Sequence, residues 1–337
     1  MTINDTIDTS NLETIVDFLR YGVSTAYARG LYYGHGTDNA WDDIRALLLD
    51  TLSLPLDTDP LFLQARLTSD EKLVLTAQLR RRIDDRVPVP YLTQVAYFCE
   101  LPFYVDERVL IPRSPIAELI QHQFAPWIEH DRVHRVLDLC TGSACIAIAC
   151  CYAFPDALVD AVDIAPEALQ VATINRDDHG VEDVLTLIES DCFDDLPPQQ
   201  YDIIVSNPPY VGADEMAHLP DEYGHEPRLA LEAADNGLAI IDTILHAAHG
   251  YLADQGILVV EVGNSEDALV AAYPNLPFTW LDFEHGGHGV FLLTREQLVG
   301  HLWAAIALVR YFVSQPLVKV MAMPLAVSWM GAHRVSR

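Results

Sequence analysis

The sequence predicts an α/β fold: a doubly wound, mostly parallel sheet with an antiparallel last strand, preceded by a small helical domain and a linking β-hairpin. Three observations carry that reading. From Arg135 onward, short apolar runs alternate with helical patterns, as in strands joined by crossover helices. Those runs are mostly apolar, with Asp138, Asp160 and Thr186 as their polar members, as in strands covered on both faces. The first 88 residues, in contrast, place apolar residues at helical spacing only.

Within the N-terminal part, Leu12 to Arg29 reads as an amphipathic helix stopped by Gly30, and Asp38 to Leu49 as a second. Thr68 to Asp85 reads as a third, with Thr68-Ser69-Asp70-Glu71 as its capping signal. Pro88 and Pro90 mark a connector. Tyr91 to Ile111 is aromatic and β-branched, interrupted near Cys99 to Pro102, which predicts a hairpin. A helix follows from about Pro115 to the Gln121–Phe124 region. The sheet strands are expected at Val136–Leu139, Leu158–Val162, Leu185–Ile188, Ile203–Val205 and Ile257–Val260. Phe278–Phe283 and Val290–Leu293 flank EHGGHG, which reads as the turn of an antiparallel pair. The expected domains are thus 1–88 (helical), 89–114 (hairpin linker), 115–297 (sheet domain) and 298–337, an atypical apolar tail. An amphipathic helix from Gln297 to Phe312 is compatible with that tail, but its polar interruptions leave no run of about 20 apolar residues able to span a membrane.

Composition narrows the partners. The 337 residues carry a formal net charge of −29, with lysine only at positions 72 and 319. Such a surface repels phosphate backbones and attracts basic partners, the reverse of a nucleic-acid binder. No spacing among the six cysteines and the histidines fits a zinc site, and the first ten residues lack the regions of a signal peptide. A cytoplasmic protein without a metal is expected.

The run VLDLCTGSACIAIA from Val136 is a buried strand, a small-residue turn and a helix. Its turn, Thr141-Gly142-Ser143-Ala144, lets a ligand approach the backbone and offers N–H groups at a helix start. Asp163 ends the next strand, where a carboxylate accepts hydrogen bonds from both hydroxyls of a ribose; its alternative is a helix cap. Asp191 follows the third strand, placed to accept from an adenine amino group, or else to serve its own turn. The turn is not G-x-G-x-x-G and carries no Walker lysine, so a nucleoside without phosphates fits better than a dinucleotide or ATP.

The fourth strand ends in Asn207-Pro208-Pro209-Tyr210. Two prolines remove two backbone donors and fix φ, so nearby oxygens are not drawn into a helix. The Asn207 side-chain oxygen and the Pro208 carbonyl suit the two N–H bonds of a planar NH₂ group, with Tyr210 stacked on that group to exclude water. The competing reading is a rigid strand exit with Tyr210 in the core.

Taken together, these residues resemble the class I, Rossmann-like methyltransferases of the N5-glutamine type. NPPY is shared with adenine-N6 DNA methyltransferases, whose target is also a planar NH₂. The acidic charge and the segment from Arg86 to Ile120, RVPVPYLTQVAYFCELPFYVDERVLIPRSPIAELI, set this chain apart from those enzymes. That segment looks like the domain linker of bacterial protein glutamine methyltransferases. Release-factor enzymes usually carry a PRPxTE-like run there. IPRSPIAELI, with YYGHGTDNAWDD and FTWLDFEHGGHGVFLLT, looks instead like the branch that modifies the third ribosomal protein of the large subunit.

The resemblance spans roughly residues 10 to 297. It implies S-adenosylmethionine as cofactor and a basic ribosomal protein as substrate, with no direct nucleic-acid or membrane contact. Asp138, Thr141, Gly142 and Ser143 would line the methionine part, Asp163 the ribose and Asp191 the adenine. Asn207, which also borders the cofactor, would hold the acceptor amide with Pro208, Pro209 and Tyr210. Arg113 would shape the cofactor pocket or bridge domains. Glu226 would orient the substrate backbone or pair with Arg228. Ala144 stands where the family has glycine, a departure that matters only if its φ is positive. Three alternatives stay open at this point: a release-factor methyltransferase, an adenine-N6 nucleic-acid methyltransferase, and a non-catalytic assembly factor that binds the cofactor.

Overall fold

The computed structural model describes residues 7–300. The first six residues and the tail beyond Gly300, including most of the expected Gln297–Phe312 helix, lie outside the described residues. Three helices open the described chain: α1 (Ile15–Ala28), α2 (Ala40–Thr51) and α3 (Ser69–Ile83). Thr14 caps α1 by accepting from the Asp17 amide, while the Asp17 carboxylate accepts from the Thr14 amide. Thr68 and Glu71 repeat this reciprocal box on α3, as the sequence signal predicts. Phe18, Ile44, Leu47, Leu75 and Leu79 close a core among these helices.

The linker differs from its sequence reading. Val89–Thr93 forms a short helix, α4, with Pro90 in its first turn. Proline there needs no amide donor and already has a helical φ, which outweighs the β-preference of the neighbouring Tyr91. The hairpin is correspondingly shorter: β1 (Val95–Phe98) pairs antiparallel with β2 (Leu101–Tyr104), and Val105–Ile111 runs as irregular chain. Helix α5 (Ile116–Gln121) leads into the sheet domain.

There the order is β3 (Arg135–Leu139), α6 (Cys145–Ala153), β4 (Leu158–Asp163), α7 (Pro166–His179), β5 (Leu185–Glu189) and β6 (Tyr201–Ser206). After β6 come two short turns of helix, α8 (Ala213–Met216) and α9 (Ala234–Gly237). Then follow α10 (Ala239–Tyr251), β7 (Leu252–Glu261), α11 (Glu266–Ala272), β8 (Thr279–Trp280) and β9 (Val290–Thr294). The seven-stranded sheet has the order β5-β4-β3-β6-β7-β9-β8. The first five of these strands run parallel, and β9 is antiparallel to both β7 and β8. Only two residues of the expected strand Phe278–Phe283 make the edge ladder.

Alternate residues on each central strand face opposite cores. Val136, Ile203 and Val259 pack on one side with α5 and α6. Leu137, Ile204 and Val260 pack on the other with α10. Burial on both faces is why these strands read as largely apolar runs, broken in β3 and β4 only by the buried Asp138 and Asp160. Parallel pairing sets the carboxyl ends of β3, β4, β5 and β6 in one row, with Leu139 opposite both Val162 and Ser206, and Asp163 opposite Glu189. Ligands bind along such an edge in open α/β sheets. Among the described residues no helix is long and apolar enough to cross a membrane.

Candidate active site

A cavity of about 350 Å³ opens along that row, a size typical of small-molecule sites. Thr141, Gly142, Ser143, Asp163, Asp191 and Asn207 all line it. Four separate strand ends therefore bring together six of the seven cofactor residues expected from the sequence.

Asp138, the seventh, lies underneath. It is fully buried and holds the turn from below. Its Oδ2 accepts from Thr141 Oγ1 at 2.5 Å and from the Ala147 amide at 3.2 Å. Its Oδ1 has no partner among the described residues. Burial pushes this carboxyl up to about 7, because charge is costly where water is excluded. Asp138 thus organises the turn and is not part of the cavity surface.

The turn is satisfied largely from within. The Thr141 amide donates to Val162 O at 2.9 Å, the Gly142 amide to Asp163 Oδ2 at 2.8 Å and the Ala144 amide to Thr141 O at 2.9 Å. The sequence reading offered these N–H groups to a ligand; the fold uses these three itself. Ala144 has φ +63° and caps α6, so the positive φ that favours glycine is real. The strain is about 1 kcal/mol. Its methyl group is fully buried, which offsets most of that at roughly 0.8 kcal/mol. The departure from glycine is therefore close to neutral.

Asp163 ends β4 with Oδ2 on the Gly142 amide and Oδ1 on the Ala165 amide at 2.9 Å. Burial raises its pKa, against those bonds. Each oxygen keeps a second lone pair for a hydroxyl, so capping and ligand binding are compatible. The Asp191 side chain is exposed at the cavity rim and makes no side-chain hydrogen bond among the described residues.

Asn207 leaves β6 half-buried, also with no hydrogen bond to its side chain among the described residues. Pro209 lines the cavity as well, whereas Pro208 is buried and neither it nor Tyr210 does. Tyr210 was expected to stack on a planar substrate group. Instead its ring packs on Gly263, and its hydroxyl donates to Glu261 Oε1 at 2.8 Å.

Glu226 also departs from the sequence reading. Its side chain is buried, and it accepts from Arg113 Nη1 at 2.6 Å, Arg113 Nη2 at 2.7 Å and the Ile111 amide at 3.0 Å. His35 Nε2 lies 3.4 Å away. Burial alone would raise its pKa, but His35 and Arg113 hold the carboxyl down at about 2. Its side chain is fully buried in this cluster, so Glu226 is not exposed to a substrate backbone. Arg228 pairs with Glu232 instead. Arg113 lines the cavity with its charge neutralised, acting both as a pocket wall and as a bridge to His35 of the N-terminal part. Sequence reasoning missed Glu261, Ser114 and His35, since each is recognisable only by partners far away in the chain.

A family described as Methyltransferase small domain matches residues 121–219. The ribosomal protein uL3 glutamine methyltransferase of Neisseria meningitidis serogroup B is 51% identical over 290 residues, covering 86% of this chain and 95% of that protein. The protein of the same name from Neisseria gonorrhoeae is 50% identical over 86% of this chain and 97% of its own. A solved methyltransferase from Pyrococcus furiosus is similar at 17% identity over 57% of this chain and 88% of that one, with a TM-score of 0.43.

Proposed function

Because the chain belongs to the family of ribosomal protein uL3 glutamine methyltransferases, we propose that it methylates the side-chain amide nitrogen of a glutamine in ribosomal protein uL3. S-adenosylmethionine is the methyl donor. The residues present suit that cofactor: a nucleoside-sized cavity, a carboxylate at the end of β4 and a small-residue turn at the start of α6. Bound there, it supplies an electrophilic methyl carbon on a positively charged sulfur. Asp163 would hold the ribose, Asp191 the adenine, and Thr141, Gly142 and Ser143 the methionine part.

One observation carries the acceptor assignment: the uncommitted Asn207 side chain shares a cavity wall with Asp163 and Gly142. A carboxamide nitrogen is a weak nucleophile because its lone pair is delocalised. Asn207 Oδ1 and the Pro208 carbonyl would accept its two N–H bonds, favouring the nitrogen that gains positive charge in the transition state. Fixing that nitrogen in line with the methyl carbon supplies the rest of the rate. The proton leaves after transfer, to water or to a neighbouring oxygen. The net charge of −29 would favour encounter with a basic ribosomal protein, and the N-terminal helices would dock it.

The test is methyl transfer from radiolabelled cofactor to purified uL3, peptide release factor and a DNA duplex in parallel, with mass spectrometry to find a peptide heavier by one methylene. Label on a uL3 glutamine supports the reading. Label confined to the release factor or to DNA overturns it.

A further inference from the structure

Among the described residues Asn207 has no side-chain hydrogen bond of its own to fix it, yet in-line transfer needs it placed to a fraction of an ångström. The structure shows how its backbone is held. Upstream, Ser206 sits in the β6–β7 ladder opposite Val260, and its hydroxyl donates to Leu139 O at 2.8 Å. Downstream, Pro208 and Pro209 have a ring-fixed φ and end on Tyr210, which is anchored at three points. Its hydroxyl donates to Glu261 Oε1 at 2.8 Å, and its carbonyl accepts from Ser265 Oγ at 2.9 Å. Its ring lies where only a glycine fits, since a Cβ on Gly263 (φ +46°) would be 2.5 Å from Tyr210 Cε2.

Glu261 is the last residue of β7, one position beyond Val260 just as Asn207 is one position beyond Ser206. It is 5% exposed. Its second oxygen accepts from Ser114 Oγ at 2.6 Å, and Ser114 lines the cofactor cavity beside Arg113. One buried carboxylate therefore ties the rod that ends in Tyr210 to the cavity wall.

We propose that Glu261 is a positioning residue for methyl transfer: through the Tyr210 hydroxyl and the two prolines it sets Asn207 at the acceptor site, and through Ser114 it holds that site in register with the cofactor pocket. This rests on the reading of Asn207 as the acceptor ligand. Both of its partners are hydroxyl donors, so a carboxylate satisfies both, whereas the amide of a glutamine side chain keeps one acceptor and turns the other into a donor.

The experiment is steady-state kinetics on the full chain with cofactor and uL3, comparing Glu261→Gln, Tyr210→Phe, their double variant and Asn207→Ala, with cofactor affinity measured by calorimetry. Glu261→Gln is expected to lower kcat by roughly 10- to 100-fold, the scale of an ångström-size misplacement. KM for uL3 and cofactor Kd should stay within about 3-fold, because the lost interaction acts in the transition state. Tyr210→Phe should lower kcat similarly, and the double variant should be no slower than the slower single one. Should Glu261→Gln fold poorly, Gly263→Ala displaces the Tyr210 ring with the carboxylate intact and should reproduce the kcat loss. Full kcat in Glu261→Gln while Asn207→Ala is inactive overturns the proposal alone, as does a double variant whose losses multiply. Full kcat in Asn207→Ala overturns the acceptor reading beneath it.

Discussion

Arg113 and Glu226 meet in a two-pronged ion pair, Nη1 to Oε1 at 2.6 Å and Nη2 to Oε2 at 2.7 Å, with the Glu226 side chain out of water. The pair joins the segment after the hairpin to the segment after β6, 113 residues apart, and places one wall of the cofactor cavity. Glu226→Ala leaves the Arg113 charge without its partner, and the expected loss of stability is about 3–5 kcal/mol. Urea unfolding of the two proteins at neutral pH measures it.

The same pair makes an acid-labile contribution. Glu226 is held at about 2, below its ordinary 4.5, so the folded state favours the ionised form. That contribution is complete above pH 4.5 and is lost as pH falls towards 2, an amount of about 3 kcal/mol. Glu226→Gln does not titrate. The stability gap between wild type and this variant should therefore shrink over that window, and equal gaps at pH 6 and pH 3 would count against it.

Asp138 runs the opposite way. Burial places its carboxyl at about 7 against an ordinary 3.8, so the protonated form is favoured in the fold. The neutral acid costs nothing below pH 3.8. As pH rises from 3.8 through 7, stability is lost, because the unfolded chain ionises freely while the buried carboxyl, with one oxygen unpartnered among the described residues, resists the charge. Asp138→Asn keeps an acceptor for Thr141 and Ala147 and never ionises. It should be more stable than wild type by one to a few kcal/mol at pH 8, as melting temperatures would show, with the advantage fading below pH 5.

These two carboxylates show how far the sequence could be read. The strands of the sheet were legible because both of their faces are buried, which writes an apolar run into the chain. The convergence of Gly142, Asp163, Asp191 and Asn207 on one cavity was legible because parallel strands put every carboxyl end on one edge, so position in the motif gives position in space. Helix α4 was not, because Val89 and Tyr91 favour strands by type while Pro90 in the first turn decides the outcome. Glu226 looked like a partner for Arg228, two positions on, but Arg228 reaches Glu232. Glu261 sits inside the apolar run VVEVG, and no spacing announces a partner 51 residues upstream.

On the proposed reading Asp163 both caps its turn and holds the ribose, so its removal should act on affinity before rate. Asp163→Ala loses the acceptors for the Gly142 and Ala165 amides and those for a ribose. Hydrogen bonds to a charged group contribute roughly 1.5–3 kcal/mol each, so cofactor affinity should weaken by at least about 10-fold. Calorimetric titration with S-adenosylhomocysteine, which cannot turn over, reads this directly. Unchanged affinity would remove Asp163 from the cofactor site.

Asn207 should show the reverse pattern. On the proposed reading its side-chain oxygen accepts from the acceptor amide, whose nitrogen gains charge only as the methyl group transfers, so the interaction strengthens towards the transition state. Asn207→Ala is expected to lower kcat by about 10²–10³-fold, the range found when one such preorganised polar group is lost, with cofactor affinity within about 3-fold. Asn207→Asp distinguishes acceptance from shape. Its carboxylate still accepts an N–H bond at the same place and favours a nitrogen acquiring positive charge, but it brings a charge that must be desolvated in the half-buried site. The expected order of kcat is wild type, then Asn207→Asp, then Asn207→Ala, measured by single-turnover methylation of uL3 at saturating cofactor. An aspartate variant no faster than alanine would show that hydrogen-bond acceptance at residue 207 does not drive the transfer.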